Sequence, residues 1–416
     1  MNTTSIFQTI EHWYSDHRID NAPYWITQNY LYPKLDELQT NLFKQEIAGE
    51  STERRPIRLL TLGNGDTPVL IWTQMHGDEP TATRALLDIL SIMQNQNHSD
   101  IIQGILNNLT LYILPMLNPD GAERFTRRTA LGIDMNRDAL ALHTPEARIL
   151  KSVREGYNIQ WAYSLHDQQP RYAVGGTGKP AGISLLAAPS DWEGSITDIR
   201  RDAMRLITCI DDYAQNLLPG QIGKYDDAYE PRAFGDALHS WGTRGVLIES
   251  GYVPRDRYKE TIRKVNAIAI LGSLYNLAQN TLPSDDRYHS ISFNRQYFSE
   301  YIFKHASISI NGEDAGYQDA AFHLVHNPVK STNKVGFKLQ LTELGDCHLY
   351  SASYIFNQSG IGINFKVEPS STSGLPEIDE NAHCEIIDRE SGNHITIIDG
   401  IPSTEPQEIF NPLEIR

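Results

Sequence analysis

Cysteine, positive charge and long apolar runs are all in short supply in this chain. Its three cysteines, Cys209, Cys347 and Cys384, are odd in number and far apart, which argues against a disulfide framework. No apolar run approaches the roughly 20 residues of a membrane-spanning helix, so a membrane partner is not expected. Lys and Arg total 36 against 52 Asp and Glu, a formal net charge of −16. An acidic surface repels phosphate backbones and disfavours nucleic acid as a partner. The first residues, MNTTSIFQTIEHWYSDHRID, lack a basic segment followed by an apolar one, so no secretory leader is expected. With the cysteine pattern this favours a reducing, cytoplasmic setting.

What is present suits a globular protein. A length of 416 residues accommodates one large domain and a smaller one. Residues 3–18 and 35–50 read as helices, giving a helical N-terminal segment over 1–50. IRLLTLGNGDTPVLIWTQM reads as two strands joined in a hairpin by Gly-Asn-Gly-Asp. A helix then starts near Pro80, followed by a strand at 109–117 and a helix capped by Thr144 with Pro145 behind it. Strands at 159–166, 183–189 and 245–250 alternate with long helices at 195–218 and 255–280. That alternation argues an α/β domain over 1–285, with helices on both faces of a mixed sheet. Beyond it, over 290–416, short Val/Ile/Phe/Tyr-rich segments broken by Gly, Pro and Asn-Gly read as a separate all-β domain, with a loop at 370–377.

The chemistry concentrates in four segments. IWTQMHGDEP puts His76 and Glu79 at H-x-x-E spacing just past an apolar strand. YSLHDQ ends another strand with His166, and GVLIES ends a third with Glu249. Ligand crevices of open α/β sheets lie at the carboxyl ends of strands, so these side chains can converge. Two His and one Glu form a zinc set that keeps a position open for water. Glu249 lies outside that set and suits a general base. In NPDGAERFTRRTALGIDMNRD, Asn136 and Arg137 form an amide–guanidinium pair able to clamp a substrate carboxylate. Arg127 can face a developing oxyanion; Arg128 competes for that role, and spacing favours Arg127.

These segments resemble the zinc carboxypeptidases, the carboxypeptidase A-like metallopeptidases. The matches are HGDE, NPDG, the D-x-N-R spacing in GIDMNRD, SLHD and IES, in the same order along the chain, over about 55–280. The resemblance implies a three-layer α/β/α fold around a central mixed sheet of about eight strands. It implies one zinc per chain on His76, Glu79 and His166, substrate binding by Arg127, Asn136 and Arg137, and Glu249 as catalytic base. Peptides or N-acyl amino acids are the implied substrates. The sequence departs from the family at Asp138, where Asn usually follows the clamp, and in a His76–His166 span without the loop insertions of secreted members. The family's mobile tyrosine has two candidates, Tyr225 and Tyr229. Asp236 lies where a residue setting side-chain preference could stand.

Two further readings stay open. A small-molecule deacylase of the aspartoacylase and succinylglutamate desuccinylase type also combines short ligand spacing with a C-terminal β region. A silent binding module would have lost a ligand or the glutamate, and all are present here. In the C-terminal region His323 and His326 fall on opposite faces of a strand, which argues against a shared metal. Cys347-His348 and His383-Cys384 read as ordinary strand residues.

Overall fold

The computed structural model describes residues 3–38, 42–367 and 373–413. These form two compact units. The first holds residues 3–168, 181–251 and 258–294, apart from 39–41, which lie outside the described residues.

Its sheet has eight strands: β1 (Phe43–Glu50), β2 (Pro56–Leu62), β3 (Thr67–Trp72), β4 (Leu109–Leu114), β5 (Trp161–Asp167), β6 (Ile183–Leu186), β7 (Ile222–Lys224) and β8 (Arg244–Ser250). The spatial order is β1-β2-β4-β3-β5-β8-β6-β7. β4, β3, β5 and β8 run parallel to one another, while β2 and β6 flank them antiparallel. The sheet is therefore mixed, as expected. Strands buried on both faces must be apolar throughout, and LTLYIL, TPVLIW and WAYSLHD largely are.

The helices of this unit are α1 (Thr3–His17), α2 (Gln28–Leu38), α3 (Thr81–Asn95), α4 (Asp100–Asn108), α5 (Pro119–Arg124), α6 (Pro145–Gly156), α7 (Asp198–Ala214), α8 (Phe234–Ser240) and α9 (Glu260–Ala278). One face of the sheet carries Leu70, Trp72 and Ala162 against α6 and α8. The alternate residue Tyr163 points the other way and reaches Ser273 of α9, which packs with α3 and α7. Thr144 caps α6 as its sequence predicts, its hydroxyl accepting from Ala147 N at 3.2 Å.

Two expectations near the N-terminus need correction. Residues 3–17 are helical, but the helix predicted over 35–50 is absent. A helix over Gln28–Leu38 ends there and Phe43–Glu50 is strand β1, pairing antiparallel with β2. The run FKQEIAGE is rich in helix formers, yet as an edge strand it meets the apolar β2 and the register overrides its propensity. β2 and β3 are both strands but not a hairpin, because β4 lies between them. Beyond β2, Asn64 and Gly65 donate backbone hydrogen bonds to Leu106 and Leu109. A Cβ on Gly65 would stand 1.9 Å from the carbonyl carbon of Asn108, so the turn is built for close approach to the start of β4.

The second unit holds 169–180, 252–257 and 295–416, as far as these are described. Its strands are β9 (Phe298–Ile310), β10 (Glu313–Val329), β11 (Lys334–Gly345), β12 (Ser351–Phe356), β13 (Ile361–Phe365), β14 (Cys384–Asp388), β15 (His394–Ile398) and β16 (Ile401–Pro402). They run in the order β11-β10-β9-β13-β14-β15-β16, with β12 parallel to β9. Asn311 and Gly312, both at positive φ (51° and 89°), turn β9 into β10, the hairpin chemistry of an Asn-Gly pair. Phe298, Tyr301, Phe303, Phe322 and Phe356 fill the core of this unit. Of the loop anticipated at 370–377, residues 370–372 lie outside the described residues. The three cysteines are buried free thiols. Among the described residues no helix is long and apolar enough to cross a membrane.

Candidate metal centre and active site

The site begins where β3 ends. Past Trp72 the parallel ladder continues in backbone hydrogen bonds: Thr73 N to Leu114 O (3.1 Å), Leu117 N to Thr73 O (3.1 Å) and Asn118 N to Gln74 O (2.9 Å). These lay HGDE beside NPDG. A Cβ on Gly77 would stand 1.9 Å from the carbonyl carbon of Gly121, so only glycine permits this approach. Asn118 accepts from Gly121 N at 2.9 Å and so caps the short helix Pro119–Arg124. Glu79 N donates back to His76 O at 3.2 Å, which turns both side chains to one side before α3 begins.

His76, Glu79 and His166 are all buried, and their ligand atoms lie within 4.8 Å of one another. His76 Nδ1 is 2.7 Å from Glu79 Oε1, His166 Nδ1 is 2.8 Å from Glu79 Oε2, and the two Nδ1 atoms are 3.2 Å apart. Their other ring nitrogens are engaged: His76 Nε2 with Asp134 Oδ1 and His166 Nε2 with Ser164 Oγ, each at 3.1 Å. With Nε2 so engaged, Nδ1 of both rings faces Glu79 and the other ring. Ligands about 2.1 Å from a tetrahedral zinc stand about 3.4 Å apart, so a small separation of these donors fits the ion. Among the described residues this is the one cluster of three such donors.

Glu249 is the register partner of His166 in the β5–β8 pairing, and is buried. Burial, and then the negative Glu79, push its carboxyl up to about 8. Burial also opposes ionisation of Glu79, but His76 and His166 outweigh it and hold that carboxyl well below the usual range. His76 goes up to about 9, since Glu79 and Asp134 overcome its burial, whereas burial dominates at His166 and lowers it. The ionised Glu79 thus faces a charged His76 and a neutral His166, and a dication bound here would take the place of the His76 proton.

Arg127, not Arg128, reaches the cluster. Its Nη1 lies 3.2 Å from Glu79 Oε1 and 3.0 Å from His76 Nδ1, and its Nε donates to Asp134 Oδ2 at 3.0 Å. Arg128 donates to Gly132 O instead. Asn136 lies in a 3₁₀ turn capped by Asp134, and its Oδ1 accepts from Phe234 N at 2.9 Å. Arg137 is half-exposed, with Nε 3.5 Å from Glu230 Oε2. Asp236 is buried and accepts from Glu230 N at 3.0 Å, so part of its work is to hold that loop. Tyr225 N donates to Leu185 O, and Tyr229 packs edge-on against Trp192 with centroids 5.1 Å apart. The roles of Asp134 and Ser164 emerge only from the fold. Asp134 is the first residue of the D-x-N-R pattern, and Ser164 stands two before His166 on the same strand face.

The profile of the zinc carboxypeptidase family matches residues 31–175. Over that stretch the chain is similar to the zinc carboxypeptidases. Curated carboxypeptidases match over shorter segments. Carboxypeptidase SOL1 of Arabidopsis thaliana is 40% identical over 65 residues, 15% of this chain and 13% of its own length. Carboxypeptidase 2 of Trichophyton rubrum is 30% identical over 100 residues, 23% of this chain and 18% of its own length. The match therefore spans under a fifth of those two relatives. A metallo-carboxypeptidase structure from Burkholderia cenocepacia superposes with a TM-score of 0.50 at 17% identity, covering 62% of this chain and 70% of that one. At that identity the likeness concerns the carboxypeptidase fold alone.

Proposed function

We propose that the chain is a zinc-dependent hydrolase of metallocarboxypeptidase type, cleaving an amide bond next to a free carboxylate. The observation that carries this reading is the convergence of His76, Glu79 and His166, with Glu249 paired beside His166. His76 Nδ1, His166 Nδ1 and the Glu79 carboxylate would hold one zinc, which when bound polarises the scissile carbonyl and acidifies water. Glu249 takes the proton of the attacking water and hands it to the leaving amine. Its burial keeps solvent from competing for that proton. Arg127 stands beside the cluster, where its guanidinium can face the oxyanion that develops on the carbonyl. The Arg137 fork receives the substrate carboxylate in place of Glu230. Asn136 assists through Nδ2, since its Oδ1 is held by Phe234 N.

The same groups would serve an N-acyl amino acid deacylase, so the test compares substrates. Zinc-loaded protein is assayed on N-acyl dipeptides, their C-terminal amides and N-acyl amino acids. A charge-assisted bond of about 1.5–3 kcal/mol predicts a preference of about 10- to 150-fold for free acids over amides. Equal rates on both would remove the carboxypeptidase reading, and turnover confined to N-acyl amino acids would select the deacylase.

A further inference from the structure

Lys259 is almost fully buried, at 1% exposure. Its ammonium has three acceptors: Ser250 O at 2.9 Å, Asp167 Oδ2 at 3.1 Å and Gln168 O at 3.2 Å. That uses all three of its donors. Ser250 directly follows Glu249 at the end of β8, and Asp167 directly follows His166 at the end of β5. Asp167 Oδ2 also accepts from Thr81 Oγ1 at 2.5 Å, and Thr81 opens α3 two residues past Glu79. One buried cation thus ties together the three segments that carry Glu79, His166 and Glu249.

The surroundings hold Lys259 in place. It sits at φ +55°, a left-handed conformation that costs energy in a non-glycine residue, immediately before α9. Arg84 of α3 donates to the preceding carbonyl, Tyr258 O, at 2.8 Å, and Asn266 of α9 donates to Ser250 Oγ at 2.9 Å. A buried ammonium carries a large desolvation cost that an apolar side chain of equal length would avoid. Fixed geometry at the strand ends is the return this arrangement offers.

We infer that Lys259 is a positioning residue: through Asp167, Ser250 and Thr81 it sets where Glu79, His166 and Glu249 stand relative to one another. The inference rests on the roles proposed above for those three residues. It predicts that loss of the ammonium disturbs metal geometry and the chemical step more than substrate binding.

The test uses cobalt in place of zinc, because its visible spectrum reports ligand geometry without turnover. Lys259→Met and the double variant Lys259→Met/Asp167→Asn are compared with wild type; the double variant leaves no carboxylate stranded. Folding is checked by circular dichroism. The expected result is a folded protein with a shifted cobalt band, metal affinity weakened about 10- to 100-fold, kcat lowered by a similar factor, and KM within about threefold. Should both variants fail to fold, Thr81→Val removes one hydroxyl from the same carboxylate, and a shifted band with lowered kcat is expected there too. A folded variant with the wild-type spectrum and kcat within about twofold overturns the role of Lys259. Wild-type protein that takes up no cobalt overturns the metal-site reading itself, and this inference with it.

Discussion

His166 of β5 and Glu249 of β8 are direct register partners in the parallel pairing of two central strands. Side chains alternate along a strand, so the pairing places both on one side at the same height. A slip of one residue would turn one of them away. Register, more than any loop, brings the proposed base to the proposed ligand.

Glu249→Gln keeps the size and hydrogen-bonding reach of the side chain but cannot accept the proton. The variant should fold, bind one zinc and lose activity by several orders of magnitude. Activity within tenfold of wild type would assign proton transfer to another group.

The two arginines should fail differently. Arg137→Ala removes the fork and should weaken free-acid substrates selectively, with little loss on their amides. Arg127→Ala should lower kcat on both kinds by about 100- to 1,000-fold, since it acts on charge that appears only as the bond breaks. Steady-state kinetics on paired substrates separates the two.

Asp134 holds His76 Nε2, caps the Asn136 turn and pairs with Arg127. Asp134→Asn should therefore weaken zinc affinity about 10- to 100-fold without abolishing it. Competition titration with a chromophoric chelator measures this. Unchanged affinity would mean that His76 is oriented by other contacts.

His239 is buried on α8 beside Gly245, and burial pushes it down to about 4 from an ordinary 6.5. The folded protein thus resists a proton that the unfolded chain accepts. The contribution to stability is whole above pH 6.5 and declines as pH falls toward 4, by on the order of 3 kcal/mol. Urea unfolding with chelator present should show this loss in wild type and a shallower one in His239→Gln. Parallel pH profiles would show that His239 titrates normally.

Much of this was legible in sequence because the apolar strands announce themselves. LTLYIL, WAYSLHD and GVLIES lie in the middle of the sheet as largely apolar runs, and the last two end in polar residues. His166 and Glu249 stand out for that reason. Strand order was not legible: β2 and β3 look like a hairpin because their turn is Gly-rich, but those glycines serve close passage to β4. Phe43–Glu50 carries helix-forming residues and becomes a strand through pairing with β2. Of the supporting polar groups, Ser164 and Lys259 carry no spacing signal. Lys259 lies in the loop before α9, and only the tertiary fold brings its ammonium to Asp167 and Ser250.

The proposed function stands or falls with one zinc ion between His76, Glu79 and His166. Diffraction from zinc-loaded crystals on either side of the zinc absorption edge tests it most directly. The expected result is one anomalous peak per chain, about 2.0–2.2 Å from His76 Nδ1, His166 Nδ1 and a Glu79 carboxylate oxygen. A peak placed elsewhere, or no peak among these three side chains, would contradict it.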